Sequence, residues 1–152
     1  MKKQSLISIL ITFISSFTFL MLSLLLFKTF GWNVVYKNAF TLVKTGLVYG
    51  VFSIVTLYIL NFYLASILKG ALGDINNIDV KKMMKFLLTK IVLDFALSSL
   101  VIWLSIYIFN NEIIVKGILA NIGIMFFTFI FREIFSLVVS YNQNKDKIGG
   151  SK

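Results

Sequence analysis

The sequence predicts an all-α integral membrane protein, a four-helix bundle with both termini cytoplasmic. Three observations predict it. Hydrophobic residues make up 59% of the 152-residue chain and charged residues only 14%, far from the balance of a water-soluble domain. The apolar residues gather into four stretches, about 5–27, 45–68, 87–109 and 117–139, each long enough to cross a hydrocarbon core as a helix. Those stretches divide the basic residues unevenly. Lys2, Lys3, Lys69, Lys81, Lys82, Lys85, Lys90, Arg132, Lys145, Lys147 and Lys152 fall on the side of the termini, against Lys28, Lys37, Lys44 and Lys116 on the other. With loops this short the positive-inside rule applies, so the termini side is expected to be cytoplasmic.

The first stretch, Ser5 to Phe27, is uncharged over 23 residues and would rise about 34 Å as a helix. It is too long for the apolar region of a signal peptide and no small-residue cleavage site follows before Lys28, so it is expected to be retained as a span. Ser8 with Ser15 and Ser16 with Ser23 repeat at seven-residue spacing, a small-residue stripe on which a second helix can pack closely. Lys28 to Lys44 reads as a connector, turned by Gly31 and anchored at the headgroup level by Trp32 and Tyr36.

The second stretch, Thr45 to Leu68, is uncharged over 24 residues. Gly46 and Gly50 form a GxxxG pair, and Ser53, Leu57 and Asn61 continue the same helical face. This face is expected to pack within the bundle, since three other spans are available to fill the groove. Lys69 to Lys90 is the longest polar stretch. Asn77 or Asp79 is placed to cap a short helix leading into the third span. Lys81, Lys82, Lys85 and Lys90 are the candidate contacts for anionic lipid headgroups, each contributing about 1 kcal/mol near the surface, or for a protein partner.

The third span ends near Trp103 and Tyr107 as interfacial anchors. Asn110 to Lys116 reads as a tight turn into the fourth span, and residues 1–141 then form one transmembrane domain. The last residues, 142–152, form a polar tail expected to be disordered.

Two of these spans carry charge. Asp94 in the third and Arg132 in the fourth each lie about seven residues from the cytoplasmic end of their helices, which puts both about 10 Å deep. An uncompensated carboxylate at mid-bilayer costs roughly 2.5–3.5 kcal/mol, so Asp94 needs a partner, and Arg132 on the adjacent antiparallel helix is the candidate. Glu133 is expected to point about 100° away from Arg132, toward Lys90 or water. Asp94, Arg132, Glu133 and Asn61 thus make up an expected intramembrane polar cluster. Its expected role is to fix helix register, because one pair with no histidine is a poor proton relay.

Absences restrict the function further. The chain has no cysteine, no histidine and no proline, hence no disulfide framework, no thiol nucleophile, no zinc or haem ligand set and no proline-broken transporter helix. No nucleophile–base pair, HExxH, P-loop or GxSxG is present, so no catalytic site and no cofactor are expected. The net charge of +9 has no polar domain on which to present itself to nucleic acid.

The aromatic–glycine–aromatic connector (Phe30, Gly31, Trp32, with Tyr36 following) and the Leu93–Asp94 step inside the third span resemble the YrvL-type small membrane regulators of low-GC Gram-positive bacteria. The resemblance spans about residues 20–140 and implies a regulator that restrains an alternative sigma factor at the membrane. The expected function is therefore a regulatory or interaction protein of the cell membrane, with the bilayer, anionic headgroups and a cytoplasmic or membrane protein as partners. The alternative is a small transporter, channel subunit or bacteriocin-immunity-type protein. Polarity concentrated on the cytoplasmic rim and sparse within the spans favours the first.

Overall fold

The computed structural model describes residues 2–71, 80–108 and 112–149. Among them stand four long helices, each with a segment long and apolar enough to cross a membrane: Leu6–Thr29, Ala39–Leu60, Met84–Tyr107 and Ile118–Val139. The helices themselves are α1 (Lys2–Thr29), α2 (Ala39–Ala71), α3 (Val80–Trp103) and α4 (Ile118–Gly149). They form a ring in which α1 packs on α2 and α4, and α3 closes it from the other side. Leucine, isoleucine, valine and phenylalanine run round most of each helix. The outward-facing ones, such as Leu10, Val51, Val92 and Ile122, stay exposed because nothing in the chain covers them.

The second helix begins six residues before the expected Thr45. Asn38 caps it: its Oδ1 accepts from the Thr41 backbone N–H at 2.9 Å, satisfying one of the orphan donors of the first turn. Lys44 therefore lies inside the helix, on its exposed side. At its other end α1 closes with Trp32 N donating to Phe27 O and Gly31 N donating to Lys28 O, the paired bonds of a Schellman motif. Gly31 takes the required left-handed conformation at φ 74°.

Two short strands were not expected from the sequence. The connector residues Val34–Tyr36 (β1) pair antiparallel with Ile113–Val115 (β2), in register Val34 to Val115 and Tyr36 to Ile113. The stretch expected as a tight turn at 110–116 is thus extended from Ile113, and its backbone groups are satisfied across the ribbon. The ribbon joins the α1–α2 connection to the α3–α4 connection. Below it α3 loosens into a π-helical turn, Leu104–Ile108, before leaving the bundle. Tyr107 on that turn places its hydroxyl 3.0 Å from Val115 O and 2.9 Å from Asn121 Oδ1, tying it to β2 and α4.

Helix contacts use small residues. A Cβ built on Gly50 would stand 2.9 Å from the Phe13 ring and 3.3 Å from Phe13 O, and one on Gly46 would stand 2.8 Å from the Phe17 ring. The GxxxG face is therefore filled by α1 of the same chain. Gly123, which the sequence reading passed over, is a third notch. The Phe27 ring lies within 2.6 Å of where its Cβ would stand, and Phe27 packs edge-on against Trp32 and Phe127. Ser15, Ser16 and Ser23 of the α1 stripe are buried, whereas Ser8 is exposed. Ser23 and Thr128 are joined by a hydrogen bond of 2.6 Å between α1 and α4.

Two further expectations need correction. Residues 142–149 continue α4 as helix, so the polar tail is not disordered there. Extending a formed helix costs no new nucleus, and no glycine or proline interrupts Tyr141 to Ile148. The basic stretch from Val80 is likewise the first part of α3 itself, continuous with the apolar span. The proposed caps Asn77 and Asp79 lie outside the described residues.

The core is not uniform along the bundle. Toward the ribbon it is closed and chiefly apolar: Leu20 and Leu24 of α1, Leu42 of α2, Ile102 of α3, Ile106 of the π-turn and Ile124 of α4 are at most 3% exposed, and hydroxyls buried among them, such as Ser23, Thr45 and Ser105, are hydrogen-bonded to their own helices. Toward the termini the ring also holds charged groups, Asp94, Arg132 and Glu133, beside the apolar Leu57 and Leu60.

Candidate functional site: a polar cavity in the termini half of the bundle

Arg132 stands about two-thirds of the way along the apolar part of α4 and is 7% exposed. Its guanidinium reaches three side chains. Nη2 donates to Asp94 Oδ1 at 2.9 Å and to Glu133 Oε1 at 3.0 Å, Nε donates to the same Glu133 oxygen at 3.3 Å, and Nη1 donates to Ser98 Oγ at 3.2 Å. The face of Phe129 lies 5.5 Å from the guanidinium carbon, within cation–π range. Asp94 and Arg132 thus meet between α3 and α4.

Glu133 departs from its expected direction. Its Cα lies about 100° round the helix from that of Arg132, but its two methylenes let the carboxylate swing back, and it pairs with Arg132 rather than Lys90. A buried guanidinium with five donors gains more from two carboxylates than from one, because each unpaired N–H in a low-dielectric site is costly. Asn61 lies on α2, but its side chain is outside the described residues, as is that of Lys82. Lys81 and Lys85 are exposed on the first turns of α3, away from the cluster.

Two members of the network escaped the sequence reading. Ser98 is 2% exposed and links Arg132 to Tyr49, whose hydroxyl lies 2.9 Å from Ser98 Oγ. Tyr49 is fully buried on α2, so the chain of hydrogen bonds runs from α2 through α3 to α4. The signal for Ser98 was its spacing, four residues after Asp94 and so on the same face of α3. The signal for Tyr49 was a phenol within an otherwise hydrocarbon face, which needs a partner when buried.

On the termini side of this network the four helices diverge around a cavity of about 120 Å³. Its wall includes Ser15 from α1, Ser53 and Thr56 from α2, Lys90 and Asp94 from α3, and Arg132, Glu133 and Ser136 from α4. On its ribbon side, Tyr49 and Ser98 stand between the cluster and the apolar core. Ser53 was expected to belong to the packing face with Gly46 and Gly50. It is buried on that face at 2% exposure but lines the cavity, and its Oγ has no hydrogen-bond partner among the described residues.

No family model, curated protein or solved structure matches this chain. The geometry therefore carries the functional argument alone. Chemically the site offers charge, hydrogen-bond donors and hydroxyls in a low-dielectric setting. That is an arrangement for holding something polar, and the cluster supplies no nucleophile activated by a base.

Proposed function

We propose that the chain is a multi-pass cell-membrane protein with both termini cytoplasmic, acting as a regulatory protein by contact with a partner and not by catalysis. The partner class is the one implied by the resemblance to YrvL-type regulators, a cytoplasmic regulator such as a sigma factor held at the membrane. One observation carries this reading: the charged side chains of the bundle interior, Asp94, Arg132 and Glu133, gather in the termini half, while toward the ribbon the buried polar groups are uncharged hydroxyls set among Leu20, Leu24, Ile102, Ile106 and Ile124. A path for an ion or a charged solute would carry such groups along its length, whereas a contact protein needs them only where its partner lies. Orientation follows from the eleven-to-four distribution of basic residues. The exposed Lys81 and Lys85, with Lys82 between them in sequence, then face the cytoplasm at the start of α3.

The cavity gives the second reading, a small transporter, a specific footing, because a polar pocket open to one side is also one state of an alternating-access cycle. One measurement tests the orientation and a second separates the two readings. A reporter fused after Lys152 should behave as cytoplasmic and one inserted near Lys37 as external. Lys81, Lys82 and Lys85 changed together to Gln should weaken site-specific crosslinks to a cytoplasmic protein in native membranes without lowering the amount of protein inserted. Solute flux in proteoliposomes that disappears in Asp94→Asn and survives the triple Gln variant would overturn the regulatory reading in favour of transport.

A further inference from the structure

The cavity has an ordered charge pattern. Both carboxylates, Asp94 and Glu133, converge on the single guanidinium of Arg132, whose other terminal nitrogen is engaged by Ser98. Two negative charges against one leave the depth of the cavity with an excess negative charge. The compensating positive charge is Lys90, one helical turn before Asp94 on the same face of α3 and therefore nearer the termini end. Lys90 is exposed, at the rim. The wall between these poles is hydroxyl-rich and includes Ser53, whose buried Oγ has no partner among the described residues. Buried hydroxyls are nearly always hydrogen-bonded, so this one points to a polar occupant.

The pattern selects among occupants. A simple anion entering past Lys90 meets two carboxylates whose arginine is already shared between them. A simple cation satisfies the carboxylates but passes, and leaves unpaired, the lysine at the rim. A molecule with a cationic end and an anionic end a few ångströms apart satisfies both. About 120 Å³ accommodates several water-sized groups, the bulk of a small amino acid and not of a peptide or nucleotide.

We propose that this cavity binds a small zwitterion of the amino-acid class, with its ammonium toward Asp94 and Glu133 and its carboxylate toward Lys90. The ammonium donates to the carboxylates and to Ser53 Oγ. The carboxylate accepts from Lys90 and from the hydroxyl of Ser136 at the rim. Nothing in this assignment depends on whether the protein regulates a partner or moves a solute.

The test is equilibrium binding of radiolabelled alanine to the purified full chain in nanodiscs, with glycine, acetate and methylammonium as competitors. The expected result is saturable binding of one alanine per chain, displaced by glycine but not by acetate or methylammonium at equal concentration. Lys90→Gln and Asp94→Asn should each weaken binding by about tenfold or more, as expected for the loss of a charge-assisted hydrogen bond. Because Asp94→Asn also disturbs the buried cluster, the decisive variants are Lys90→Gln at the exposed rim and Ser53→Ala, which should weaken binding while the chain remains folded. Absence of saturable alanine binding to the folded wild-type chain overturns the proposal. So does binding indifferent to Lys90→Gln, or competition by acetate or methylammonium equal to that by glycine. Alanine binding accompanied by alanine flux sustains this site while overturning the regulatory reading, so the two stand or fall separately.

Discussion

Arg132 is the residue whose surroundings most constrain the termini half of the bundle. Removing it leaves the half-buried Asp94 and Glu133 side by side without their shared cation, whereas removing Asp94 leaves the arginine with Glu133 and Ser98. Arg132→Gln should therefore destabilise the chain more than Asp94→Asn. In a double-mutant cycle read by unfolding in detergent, the Asp94–Arg132 coupling is expected on the order of 1 kcal/mol. Additive effects would show that the pair contributes nothing beyond its separate members. The pair was readable from the sequence because depth in a straight helix is a count of residues, and both counts gave the same depth. The swing of Glu133 back to Arg132 was not, because a count fixes where a Cα lies and not where a side chain with two methylenes ends. Nor was the link through Ser98 and Tyr49, which requires the relative rotation of two helices and not only their order.

Among the elements, the apolar spans were the most readable part of the chain, since charge is scarce enough to mark where each one stops. The ends were less so. Lys44 suggested a boundary, yet the start of α2 is set by the Asn38 cap six residues earlier. Three-residue strands are too short to show an alternating pattern, which is why the ribbon left no trace in the sequence. The α1–α2 contact gives a sharp expectation: Gly50→Leu drives a side chain into Phe13, at a cost of about 1–3 kcal/mol for overpacking, visible as a lowered unfolding midpoint. Gly31→Ala tests a different quantity, since there is open space around it and the cost is the left-handed backbone alone, about 1–2 kcal/mol. If Gly31→Ala proved the costlier of the two, helix capping and not close helix approach would dominate the stability of this end.

The molecule as a whole is two helical hairpins, α1–α2 and α3–α4, packed on one another along α1–α4 and α2–α3 and stitched through their connections at one end. The stitch is the β1–β2 ribbon, reinforced by Thr41 Oγ1 donating to Glu112 Oε2 at 3.0 Å and by Lys116 N donating to Asn33 O at 3.0 Å. At the opposite end, polar side chains line a space instead of interlocking. The ribbon is the natural pivot for any opening of the cavity end, and relative motion of the two hairpins would then grow with distance from it. Spin labels on Phe62 and Leu137, far from the pivot, should give a broader distance distribution than labels on Phe40 and Leu119 beside it. The two pairs span the same two helices, so equal widths would rule out a pivot. A pivot at the ribbon would let the grip on whatever enters the cavity tighten or slacken while the far face of the protein stays shut.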